Sequence, residues 1–192
     1  MLKQIFKTAP ILGVACLFSA GIVGAALAAD PFTLTSPAFK DGELMPAAYG
    51  DIRLANEVNS CGMAAKKISP ALSWANPPEK TQSFVVLMLD ADAGLGASHW
   101  VAYDIAAAKR SLVEGEAAQP SGFVAGKSYR AENYSGPCPP AGPAHHYVIN
   151  IYATDLAPGT LKPGLNREEL LESLKGHNLA TASMIGKYAR AP

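Results

Sequence analysis

The stretch Ser83-Phe-Val-Val-Leu-Met-Leu-Asp90 constrains the chain most, because its apolar run is unbroken from Phe84 to Leu89. Such a run reads as a central strand of a sheet, buried on both faces. It ends in the acidic, turn-forming Asp90-Ala-Asp92-Ala-Gly94. Two further strong strands are expected at 99–105 and 147–153, and a half-buried one where apolar and polar residues alternate from Phe32 to Ser36. Ile68 to Trp74 reads as a short extended piece, and residues 51–67 as strand fragments and loop around Cys61. The region 111–135 reads as a surface excursion with little local order. One helix is expected, from Asn166 to Gly176, with Asn166 as cap, Glu168 and Glu169 at its positive end, and Leu170, Leu171 and Leu174 on its apolar face. The tail from Leu179 to Tyr188 fits a helix or a final strand, with strand preferred. The 15 prolines and 17 glycines add many turns. The expected fold class is mainly β, an antiparallel β-sandwich of two sheets with a few peripheral helices.

Residues 1–28 are set apart as a signal peptide, leaving 29–192 as one domain. Lys3 and Lys7 precede an apolar run from Ala9 to Leu27, and Ala26-Leu27-Ala28 supplies a small-x-small cleavage pattern. An uncleaved anchor is the alternative, since the run could span a bilayer. Loss of the two lysines would leave 14 basic against 16 acidic residues, a net charge of −2. No basic excess points to nucleic acid or to an acidic membrane surface, so membrane contact is expected only through the signal peptide. An exported, secreted or periplasmic chain would retain Cys61 and Cys138, for which a single bridge is possible. Such a bridge would add about 4 kcal/mol of stability in the chain-entropy account.

The chemistry gathers around Gly136-Pro-Cys-Pro-Pro-Ala-Gly-Pro-Ala-His-His-Tyr147, whose prolines and glycines exclude both a helix and a central strand. A stiff loop is expected, presenting Cys138 at its middle and His145, His146 and Tyr147 at its end. Asp90 and Asp92, His99, and the His145–Tyr147 pair lie at the ends of the three strongest strands and could meet at one sheet edge. Two imidazoles near carboxylates would have raised pKa values and would hold an anion when protonated. The bland readings are Asx turns for the aspartates and a satisfied core histidine for His99. In a strand, His146 would point away from His145 and Tyr147. Two histidines and two aspartates suggest a metal, but their spacing matches no zinc or calcium signature, so no metal and no other cofactor is expected. No Gly-x-Ser-x-Gly nucleophile is present.

Asp90-Ala-Asp-Ala, His99-Trp100, Gly136-Pro-Cys-Pro-Pro and His145-His-Tyr147, in this order and spacing, resemble the phosphatidylethanolamine-binding protein family, with a closer likeness to its bacterial Raf-kinase-inhibitor-like branch. Asp41-Gly42, Met45-Pro46, Ser69-Pro70-x-Leu72-x-Trp74 and His177-x-Leu179-Ala180 extend the likeness over nearly the whole chain after residue 28. The resemblance implies a sandwich with a small pocket for phosphate-like groups, including phospholipid headgroups, at Asp90, His99, Gly136, Pro140, His145 and Tyr147. It also implies a cysteine pair matching Cys61 and Cys138. The chain departs from the family where Asp-Pro-Asp-x-Pro becomes Asp90-Ala-Asp92-Ala-Gly94 and where Ser98 replaces a tryptophan.

Three functions are open at this level. The first is a non-enzymatic exported protein with a pocket for a small anionic or phosphorylated ligand. The second is an inhibitor-type module for a kinase-like or protease-like protein partner, with oligomers possible. The third, a hydrolase or lyase using His99 and His145, lacks a visible nucleophile, so no catalytic residue is assigned.

Overall fold

The computed structural model describes residues 30–55, 58–59, 61–130 and 134–190. The expected signal peptide lies outside them. Ten strands and one α-helix follow in the order β1 (Thr33–Thr35), β2 (Leu54–Ala55), β3 (Val58–Asn59), β4 (Leu72–Ala75), β5 (Ser83–Asp90), β6 (Ala97–Ala106), β7 (Ser111–Leu112), β8 (Val124–Ala125), β9 (His145–Thr154), α1 (Arg167–Ser173) and β10 (Asn178–Tyr188). The large sheet has the order β10-β9-β5-β6-β8, a small one the order β1-β4-β7, and β2 and β3 form a two-stranded ribbon. All strand pairs are antiparallel.

β5 is central in the large sheet, and alternation along it feeds two separate cores. Phe84, Val86 and Met88 pack with Leu72 and Trp74 of the small sheet. Val85 and Leu87 face the other way, against Leu165, Leu170 and Leu174 around α1. The unbroken apolar run is thus covered on both faces. In β6 the alternation slips between the partners of Phe84 and Val86, and Asp104 there adopts φ +56°. This bulge returns Ile105 to the same core as Trp100 and Ala102.

The helix forms for the expected reasons and is shorter than its capping signals alone suggest. Asn166 Oδ1 accepts from the Glu169 amide at 2.9 Å, and the Glu169 carboxylate accepts from the Asn166 amide at 3.1 Å, a complete capping box. The tail folds as β10, the longest strand, paired along β9. Cys61 and Cys138 are bridged, with Cα atoms 5.1 Å apart. Among the described residues no helix is long and apolar enough to cross a membrane.

Candidate functional site

β5 runs toward one end of the large sheet, and β6 and β9 start there because both pair antiparallel with it. Asp90 sits opposite Ala97 of β6 and Tyr147 of β9. The three polar clusters therefore converge, as their positions at strand ends suggest. They surround a cavity of about 120 Å³ lined by Asp90, His99, His145 and Tyr147, with Pro139 and Pro140 as one wall. A larger concavity, about 640 Å³, lies along residues 109–121. Its charges are already matched, Lys109 with Glu116, and Glu114 with the Tyr49 hydroxyl, so it offers no convergent set of donors.

Asp90 is buried and serves two partners. Its carboxylate accepts from His145 Nδ1 at 2.9 and 3.1 Å, and from the Asp92 amide at 3.0 Å. The Asx-turn role and the histidine-orienting role thus coexist on one side chain. The His145 bond leaves Nε2 with no protein partner. β9 begins at His145, two residues earlier than the apolar pattern alone indicates, so His145 and Tyr147 share a face and His146 takes the other. His146 is half exposed and pairs through Nδ1 with Asp92 at 2.9 Å, outside the cavity. Two hydrogen bonds from His146 hold the Asp92 carboxyl below the usual range, although it is exposed to water.

His99 departs from expectation. Its Nδ1–H donates to the Ser135 carbonyl at 2.7 Å, and its ring lies between Tyr129, 4.8 Å away, and Tyr147, 5.1 Å away and edge-on. Burial lowers its pKa, outweighing the Ser135 bond and the charges of Asp90 and Asp51 that raise it. The expected rise for this imidazole is therefore a fall, and His99 is neutral at pH 7.

Tyr147 is fully buried, and its hydroxyl has no hydrogen-bond partner. Burial first, and then the Asp90 carboxylate, which comes near the hydroxyl without meeting hydrogen-bond geometry, push its phenol well above the usual range, so it stays protonated. It is an unsatisfied donor in the cavity wall. Gly136 does not line the cavity. A Cβ there would lie 2.5 Å from the Asp51 nitrogen and 2.6 Å from the Tyr49 oxygen, so the glycine lets the proline loop press against the 49–51 backbone. The Asp51 amide then donates to the Pro137 carbonyl at 2.8 Å.

Two lining residues have no sequence signal. Arg53 pairs with buried Asp51 at 3.1 Å and donates to the Tyr129 hydroxyl, and both Arg53 and Tyr129 reach the cavity from irregular segments. Asp90, Asp92 and His145 also place one potential metal-ligand atom each within 4.8 Å of one another. Of these, Asp90 and His145 are hydrogen-bonded to each other, and the Asp92 carboxylate accepts from the His146 amide and ring.

The sequence profile of the phosphatidylethanolamine-binding protein family matches residues 35–189. A UPF0098 protein of Aquifex aeolicus is 37% identical over 179 residues, covering 91% of this chain and 94% of the relative. A second, from Methanothermobacter thermautotrophicus, is 34% identical over 82% of this chain and 98% of its own. A crystal structure of a phosphatidylethanolamine-binding protein homologue from Chlamydia trachomatis superposes with a TM-score of 0.70 at 29% identity, covering 83% of this chain and 98% of that one. Escherichia coli YbcL, described as a new member of the mammalian family, gives 0.72 at 27% identity over 82% of this chain and 98% of its own. Fold, strand-end chemistry and these relatives together show that the chain belongs to the phosphatidylethanolamine-binding protein family.

Proposed function

We propose that this family member is an exported, non-enzymatic binding protein whose strand-end cavity takes a phosphate or similar anionic group of a small ligand. The observation that carries the reading is the Tyr147 hydroxyl, a buried donor without a partner in a cavity that also presents two imidazoles, Arg53 and the Asp90 carboxylate beside a proline wall. Its geometry favours donors over charge, since neutral His99 contributes no net attraction at pH 7. Asp90 orients His145 and retains acceptor capacity for an ammonium group. The Cys61–Cys138 bridge supports export, because such bridges persist in oxidising compartments.

Calorimetry with inorganic phosphate and phosphoethanolamine tests this between pH 5 and 8. Weak binding should strengthen toward low pH, by at most about tenfold per pH unit for one linked proton, because a bound anion raises the His99 pKa. His145→Ala should weaken it, and His146→Ala should not. No binding at any pH in this range would overturn the reading.

A further inference from the structure

We infer that the Cys61–Cys138 bridge positions the wall of the cavity, so that ligand retention depends on the thiol redox state of the chain. This rests on the anion-pocket reading and deepens it. Cys138 itself lines the cavity, next to Pro139 and Pro140. The start of the loop is anchored by other means: Tyr134 Oη donates to the Tyr49 carbonyl at 3.0 Å, the Ser135 amide to the His99 carbonyl at 2.7 Å, and the Asp51 amide to the Pro137 carbonyl. From Cys138 to Ala144 no residue makes a hydrogen bond. The bridge is thus the one bonded tie on the wall between Pro137 and the start of β9. Its other end, fully buried Cys61, lies just beyond the β2–β3 ribbon in sequence, so the bond ties the loop to a segment 77 residues away along the chain.

Exchange with a dithiol reductant would release this tie. The reductant's thiolate attacks Cys138 Sγ, since Cys138 is partly exposed and Cys61 is not. The S–S bond breaks, and Cys61 leaves as a thiolate that takes a proton. The reductant's second thiol then closes on the first, freeing Cys138 as a thiol. Two electrons pass from the dithiol to the bridge, and the reductant ends as a disulfide. The prolines then move away from His99 and Tyr147, while the ladders of β5, β6 and β9 remain.

Phosphate calorimetry on the full chain, oxidised and after dithiothreitol, tests this together with hydrogen exchange followed at Asp51 and across β5 and β9. The Cys61→Ala/Cys138→Ala chain repeats both measurements without reductant. Reduction should weaken phosphate binding at least tenfold and speed exchange of the Asp51 amide, which is hydrogen-bonded to the Pro137 carbonyl beside Cys138, leaving exchange in β5 and β9 unchanged. Equal affinity in the two redox states overturns the inference, and so does loss of the β-sheet circular dichroism on reduction, because a switch needs a folded reduced state. If the oxidised chain binds no phosphate, the pocket reading fails by itself. Unchanged exchange of the Asp51 amide then overturns the clamp separately.

Discussion

Replacing Tyr147 by phenylalanine should make the protein more stable and a poorer binder at once. The ring is fully buried and packs edge-on against His99, contacts that phenylalanine keeps. What it removes is a hydroxyl with no partner. Leaving such a group buried costs about 1–3 kcal/mol. The void left by one oxygen returns only a few tenths of this, at ~24 cal/mol per Å³. A net gain of about 0.5–2.5 kcal/mol remains, which for a domain of this size is a Tm rise of about 1–10 °C. Differential scanning calorimetry measures that rise, and isothermal titration with phosphate measures the affinity, expected to fall about tenfold for one lost donor. A residue that served packing alone would move neither in this pattern. A Tm lowered by 2 °C or more would mean that the hydroxyl is satisfied in solution by the Asp90 carboxylate, and the orphan-donor reasoning would fail.

Gly136→Ala should lower Tm by about 2–12 °C, from an overpacking cost of about 1–3 kcal/mol, since its Cβ would meet backbone atoms at 2.5–2.6 Å that no rotamer change can move. A melting curve matching the parent's would show that the loop has slack at this point. His99 makes stability depend on pH. Its folded pKa lies below the ordinary 6.5, so the unfolded chain binds more protons between the two values. Its stabilising contribution is therefore full above about pH 6.5 and declines as the pH falls toward the folded pKa. Urea titrations should show this decline diminished in His99→Gln, and an undiminished slope would assign it to other groups.

What the chain revealed before folding was what local pattern and elimination can carry. The apolar run of β5 and the capping residues of α1 each have a local physical signature, and both appear in the structure as expected, as does the Cys61–Cys138 bridge. Asp90, His99, His145 and Tyr147 could be grouped because strand ends in an antiparallel sheet meet at the same edge. Arg53 and Tyr129 could not, since each lies in a segment with no period and reaches the cavity only through tertiary packing. Gly136 was expected in the pocket, and its contact with the 49–51 backbone instead depends on a segment far away in sequence. The His99 shift also has no local signature. Neighbouring carboxylates are visible in the sequence, while the burial that outweighs them is a property of the assembled layers.

The end of β5 shows why structure and site overlap at some positions and separate at others. Strand ends leave backbone groups beyond the ladder that need partners. Here the Ala91 amide donates to the His146 carbonyl at 2.9 Å, and the Asp92 amide donates to the Asp90 carboxylate. Asp90 therefore closes the turn and aims His145 together, and a substitution there perturbs both functions. Tyr147 is different. Its ring completes the core and its donor completes nothing within the chain, so only the donor can be removed without disturbing the fold. A group that weakens the protein by about 1–3 kcal/mol, against a total stability of about 5–15 kcal/mol, has no packing explanation. Under the proposed function, an acceptor supplied by the ligand gives it one.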